Sequence, residues 1–348
     1  MRVYTALLLV ILLAVGAAVA AQSRALSEVF ARDVPYAALG VLLGGLAWRI
    51  LWWARSPVPF RIPTTCGQAQ WCDWIRPNRI DNPQGPLAVA GRLALELLLF
   101  RSLFRNTSSE LCPGPRLVHS PNRRLWLASL VFHYSLLVIV LRHLRLFTEP
   151  VPGVLIALTK LDSFLEVGLP PLTLTSMTLL FATMYLLMRR VVSLRLRILS
   201  RVGDYFPLLL ILAVGTTGLV LRHWVRSDVV SVKELCLSLV AFKPVSPARL
   251  PWLLFTHLAL VCTLLCYLPF SKLVHMGCVL LSPTRNLANN SRRVRHNNPW
   301  AEPAKLHSYQ AYEDMFRDKM LKAGIPVDTA TMPPPAGSAS PEPEKVWR

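Results

Sequence analysis

Acidic side chains are scarce: the 348 residues hold 19 Asp and Glu against 38 Lys and Arg, a formal net charge of +19. The few acids also avoid the apolar parts of the chain, with Glu166 and Asp204 standing only at the edges of apolar runs. A proton or ion path across a bilayer needs carboxylates at membrane depth, so the shortage argues against a relay subunit. Paired cysteines are missing too. Cys66, Cys72, Cys112, Cys236, Cys262, Cys266 and Cys278 are scattered and form no CxxC, which removes a zinc or iron–sulfur framework. No long polar stretch suggests a separate soluble enzyme domain, and there is no internal repeat. The basic excess brings no nucleic-acid motif with it. Its placement follows membrane topology instead, so nucleic acid is not an expected partner.

What the chain has is apolar length. Hydrophobic residues make up 53% and charged residues 16%, with a mean hydropathy of +0.42, values that belong to a polytopic membrane protein. Crossing a hydrocarbon layer of about 30 Å takes roughly 17–25 residues. Six runs are long enough: Val3–Ala21, Val34–Trp53, Leu125–Leu146, Val167–Met188, Tyr205–Leu221 and Leu250–Val274. The expected fold is an all-α bundle of six transmembrane helices. The first run, with Arg2 ahead of it and Ala-Val-Ala near its end, also has features of a cleaved signal peptide; its length favours a retained helix. Lys and Arg crowd 55–124, 189–204 and the stretch after 275, and are sparse in the alternate connections. The positive-inside rule then puts both termini on the cytoplasmic side of a cytoplasmic (inner) membrane.

The expected organisation is two N-terminal spans (1–54), a cytoplasmic loop (55–124), a four-helix membrane core (125–275), a cytoplasmic segment (276–324) and a Pro-rich tail (325–348) too poor in apolar residues to fold. Within the loop, "PLAVAGRLALELLLFRSLF" carries Arg92, Glu96, Arg101 and Arg105, which suits a helix lying at the membrane surface. A short helix is expected around "QAYEDMFRDKMLKAG".

Histidine is the residue to explain. His133 and His143 lie ten residues apart in the third run, and His257 and His275 eighteen apart in the last. On straight helices these separations are about 15 Å and about 27 Å, and each pair shares a face. The third run goes outward and the last inward, so His133 meets His275 towards the cytoplasm and His143 meets His257 towards the outside. Neutral imidazole is a common axial ligand of haem iron, and a haem between two helices takes one from each. The four positions therefore read as a dihaem cytochrome b with two bis-histidine haems, tilt absorbing the unequal separations. A hydrogen bond to a neighbouring helix explains any single one of them. Arg142 and Arg145 beside His143, and Lys272 near His275, are candidate partners of haem propionates; snorkelling to head groups accounts for them as well. His223, in "LRHW", competes for the outer haem or a place beside a quinone, and an interfacial histidine among Arg222, Trp224 and Arg226 is the plainer reading. His119, His296 and His307 fall in loops.

The spacing resembles the gamma-subunit family of respiratory nitrate reductase, dihaem cytochromes b that oxidise quinol. The stretches "PVPFRIPTTCGQ" and "LSPTRNLANNSRRVRHNNPW" are similar to the M subunit of the Dsr membrane complex of sulfate reducers and sulfur oxidisers. The resemblance covers about residues 1–310. It implies two haems b, a quinone as exchangeable redox partner, and His133, His275, His143 and His257 as ligands. It also implies a cytoplasmic iron–sulfur partner of the heterodisulfide reductase type, a periplasmic multihaem cytochrome c, a periplasmic iron–sulfur protein and a second membrane subunit. The loops 55–124 and 276–310 would then form the docking surface. A haem-free scaffold or proton relay, and a quinol-linked cytochrome b of another respiratory complex, are the alternatives.

Overall fold

The computed structural model describes residues 1–56, 65–105, 107–114, 116–164, 166–167, 172–244, 250–282, 286–289 and 307–328. Most of the two loop stretches that carry the Dsr resemblance, His296, and the tail from 329 lie outside the described residues. The chain divides into Met1–Arg292 and Arg293–Arg348.

The first unit is a helix bundle. Its long helices are α1 (Arg2–Ala20), α2 (Arg24–Ala54), α5 (Arg123–His143), α7 (Leu174–Val192), α9 (Val202–Val220) and α11 (Trp252–Tyr267). Shorter ones are α3 (Pro86–Leu99), α4 (Arg101–Phe104), α6 (Gly153–Phe164), α8 (Leu194–Leu199), α10 (Val229–Val240) and α12 (His275–Leu281). Among the described residues five helical stretches are long and apolar enough to cross a membrane: Arg2–Ala20, Arg24–Ala54, Arg123–Leu146, Val202–Val225 and Trp252–Phe270. Their outward faces are bare hydrocarbon, with Leu12, Leu43, Leu51 and Leu137 all exposed, as lipid-facing helices require.

The fourth expected run starts later than its hydropathy suggests. Glu166–Val167 (β3) pairs antiparallel with Leu172–Thr173 (β4), and helix begins only at Leu174; Pro170 and Pro171 have no N–H to give a helix. A second hairpin, β1 (Thr107–Cys112) with β2 (Arg116–Pro121), stands in the loop before α5. Its turn uses Gly114 at φ +85°, a conformation favouring glycine. These hairpins are small exceptions to the expected all-α fold. The helices α6 and α10, in connections read as loops, were not expected.

Packing runs α5 on α7, α7 on α9, α9 on α11, with α1 against α9 and α11 and α2 against α11. Small residues set the closest approaches. A Cβ at Gly45 would stand 2.7 Å from Pro269 Cγ, and one at Gly215 would stand 2.9 Å from Leu180 Cδ2, so both glycines let neighbouring helices close up. Ala6, Val10, Leu187, Tyr205, Leu210 and Leu260 form one buried cluster, and Phe132, Leu179, Ala182 and Ile211 another. Ser135 and Thr178 share a 2.7 Å hydroxyl contact between α5 and α7.

The two ends of the bundle are tied differently. At the Arg-rich end, Arg2 donates to the carbonyls of Ile198 and Ser200 at 3.0 and 2.9 Å, and Asp204 accepts from Lys272 Nζ at 2.6 Å and Arg201 N at 2.9 Å. Asp81 gathers Arg101 and Arg105 there. Burial alone would raise its carboxyl, but hydrogen bonds from Arg105 and Asn78 and the charge of Arg101 keep it below the usual carboxylate range. At the opposite end Lys233 pairs with Glu149, and the Tyr36 hydroxyl donates to Leu239 O at 2.8 Å.

The second unit contains α13 (Tyr309–Lys322), where a short helix was expected; Ser308 caps it, accepting from Ala311 N at 3.2 Å. Glu313 is buried and accepts from Arg317 and from Asp328 N.

Candidate functional site

The strong packings place α5 and α11 at the two ends of the row α5–α7–α9–α11. Both carry histidine: His133 and His143 on α5, His257 on α11.

At the Arg-rich end, the His133 and His275 rings face each other with centroids 5.9 Å apart and planes 89° to one another. Each is held by its own backbone. His133 Nδ1 lies 2.7 Å from Ser129 O, one turn back on α5, and His275 Nδ1 lies 2.8 Å from Lys272 O. A carbonyl oxygen only accepts, so Nδ1 carries the proton and Nε2 keeps its lone pair. Phe100 and Phe132 stand edge-on to His133, both at 5.0 Å.

The placement of His275 corrects the straight-helix reading. The last helix stops at Tyr267, a 3-10 turn follows over Leu268–Phe270, Ser271 is extended, and a second turn spans Lys272–Val274 before α12 starts. Pro269 removes an N–H from the helical ladder and forces the stop. His257 and His275 therefore do not share one helical face, and the 27 Å separation does not apply.

At the opposite end, His143 is the last residue of α5, with Nδ1 2.7 Å from Ile139 O. His257 is its electrostatic neighbour and is seated by α9. Its Nδ1 is 2.9 Å from Thr217 Oγ1, while that hydroxyl donates to Ala213 O at 2.8 Å. With the hydroxyl proton spent on a carbonyl, Thr217 accepts from Nδ1–H, and His257 too presents Nε2. Gly218 makes the room: a Cβ there would stand 3.1 Å from His257 Cε1. Thr217 and Gly218 went unnoticed in the sequence, although the "GTTG" of an otherwise apolar run is the kind of small and hydroxylic cluster that marks helix contacts.

These features test the fit of a haem. Metal–imidazole bonds are about 2 Å, and with ring centres about 1 Å beyond the nitrogens, one iron between two imidazoles separates centroids by about 6 Å. The 5.9 Å gap at His133 and His275 suits that, and the shared Nδ1–H pattern is the arrangement that fixes a ligating histidine. Among the described residues no three His, Cys, Asp or Glu side chains converge to hold a metal ion.

Two of the three cations expected near propionates, Arg142 and Lys272, have protein partners. Arg142, 6% exposed, pairs with Asp162 on α6, 5% exposed; Asp162 also accepts from Thr175 Oγ1 at 2.7 Å. Lys272 directs its ammonium to Asp204, and its contribution to His275 is its carbonyl. Arg145 borders a cavity of about 350 Å³ with Leu155, Ile156, Lys160, Val229 and Lys233. His223 lies in a π-helical turn, Leu221–Val225, continuing α9, with its ring against Trp224.

Comparison with known proteins identifies the family. Residues 111–296 match the family model described as nitrate reductase gamma subunit. The chain is 40% identical over 285 residues to an Archaeoglobus fulgidus protein named Hdr-like menaquinol oxidoreductase cytochrome b-like subunit, covering 80% of this chain and 85% of that one. It is 40% identical over 274 residues to the protein of the same name from Archaeoglobus profundus, covering 77% and 81%. On this match over more than half of its length, and with these relatives, the chain belongs to the nitrate reductase gamma subunit family.

Proposed function

We propose that this protein is a dihaem b electron carrier of the cytoplasmic membrane, exchanging electrons between the quinone pool and a cytoplasmic iron–sulfur partner of the heterodisulfide reductase type in dissimilatory sulfur metabolism. The observation that carries the reading is the common posture of four histidines, each with Nδ1–H bonded to an oxygen and Nε2 left for iron. His133 and His275 hold the inner haem, His143 and His257 the outer. Haem b, when bound, supplies a one-electron couple at each position. The chain's own part is to orient the rings: Ser129, Ile139 and Lys272 through their carbonyls and Thr217 through its hydroxyl. Phe100 and Phe132 pack edge-on against His133.

In this reading α7 is the sixth span, both termini are cytoplasmic, and the quinone is a menaquinol, as in the names of the Archaeoglobus relatives. The periplasmic cytochrome c and iron–sulfur protein and the second membrane subunit complete the complex. Arg145, which borders a cavity and has no ion pair among the described residues, would meet a propionate of the outer haem.

The test is a dithionite-reduced minus oxidised spectrum of the purified protein with pyridine haemochrome quantitation. About two haems b per chain is the expected result, with His257→Ala removing the outer haem alone and His275→Ala the inner alone. Haem-free protein from cells competent to insert haem would overturn the proposal.

A further inference from the structure

A cavity beside α3 has no part in the proposed electron transfer. It has a volume of about 730 Å³ and lies between α3, the turn at Arg79 and Ile80, and Tyr134 of α5. Its floor is one stripe of α3: Ala88, Gly91, Leu95 and Leu98 follow one another at three- and four-residue steps, the spacing of a single helical face. That stripe is unusually shallow because of Gly91. Glycine inside a helix is destabilising relative to alanine. Here neither a positive φ nor a close neighbour demands it, since an added Cβ would meet nothing within 4 Å. The residue leaves a hollow.

Two aromatic side chains of α5 pin the end of the floor. Trp126 Nε1 donates to Leu99 O at 2.7 Å and the Tyr134 hydroxyl donates to Leu98 O at 3.0 Å. Both thereby satisfy carbonyls that the end of α3 leaves open, and Trp and Tyr in this role are typical of the membrane–water boundary. The rim is cationic. Arg92 is fixed at the wall by donating to the carbonyls of Asp81 and Leu287, both at 3.2 Å. Arg79 faces no carboxylate among the described residues, the nearby Asp81 being occupied by Arg101 and Arg105.

An apolar trough with guanidinium groups at its mouth, at the Arg-rich end of a membrane bundle, selects an amphiphile with an anionic head. We propose that the cavity seats one anionic phospholipid of the adjoining leaflet, an acyl chain along α3 and α5 and its phosphate on Arg79. Guanidinium matches phosphate oxygens in bidentate fashion, and basic pockets of this kind recognise acidic lipids. A neutral quinone would fill the trough and leave the rim charge unanswered. The site is independent of the haem assignment.

The experiment is native mass spectrometry of the full chain in detergent, titrated with phosphatidylglycerol and with phosphatidylcholine of identical acyl chains, with haem content read on the same samples. One phosphatidylglycerol should be retained at about tenfold lower concentration than phosphatidylcholine, whose choline cancels the net negative charge that the cationic rim meets. Gly91→Leu, which fills the hollow and favours the helix, should weaken phosphatidylglycerol binding about tenfold or more. Arg79→Gln, an exposed change with no packing cost, should make the two lipids bind alike. Equal binding of both lipids by the unaltered protein would overturn the proposal. So would full retention of phosphatidylglycerol by both variants, or a co-purified quinone displaced by Gly91→Leu in its place.

Discussion

The two histidine pairs differ in what holds them. His133 and His275 are each oriented by a carbonyl of their own segment, one turn or one tight turn away. His257 takes both its hydrogen bond and its space from a neighbouring helix, through Thr217 and Gly218, and His143 sits at the last residue of a helix anchored by the buried Arg142–Asp162 pair. One pair is locally specified; in the other His143 is likewise held by its own Ile139 carbonyl, and it is His257 that depends on tertiary packing. Perturbing helix contacts should therefore damage the His143/His257 end first.

The largest effect is expected from Asp162→Ala. It leaves Arg142 charged, buried and without its carboxylate, a change that destabilises by about 3–5 kcal/mol. A clear fall in the thermal unfolding midpoint of the solubilised protein checks this; an unchanged midpoint would mean that water or lipid replaces the carboxylate. Next comes Gly218→Leu, which drives a side chain into the His257 ring. One of the two proposed haems should be lost, with the His133/His275 signal intact. Loss of both would show that the ends are not separable.

Thr217→Val is milder. It removes one hydrogen bond, worth about 1 kcal/mol, and frees the ring to rotate. Haem content should hold while one of two midpoint potentials shifts in a redox titration. The smallest effects belong to the locally held pair. Ser129→Ala keeps the carbonyl that His133 uses, and Lys272→Gln keeps the one that His275 uses. Lys272 is 82% exposed along its side chain, so its loss should change stability by less than about 1 kcal/mol, with both potentials unmoved. A shift of the inner potential in Ser129→Ala would contradict the backbone-held reading.

The same contrast explains what was legible in the sequence. Apolar runs and the four histidines announce themselves, because bilayer thickness and the rarity of imidazole at depth are strong constraints. The expected pairing of His133 with His275 needs only helix direction. Partners across helices left weaker marks. Asp162 is one acid in a segment read as loop, twenty residues from the Arg142 it neutralises, and its helix α6 is too short to stand out by hydropathy. The late start of α7 and the stop at Tyr267 were readable in principle from Pro170, Pro171 and Pro269. The long apolar runs around them carried more weight than they should have.

The interruption between Tyr267 and His275 bears on how such a protein can vary. Along α5 a single inserted residue would swing His143 by about 100° relative to His133, so ten residues is a spacing with no slack. Between Phe270 and Lys272 the chain is out of helical phase, and a residue gained or lost there changes reach without turning His257. One interval behaves as a fixed ruler and the other as an adjustable joint.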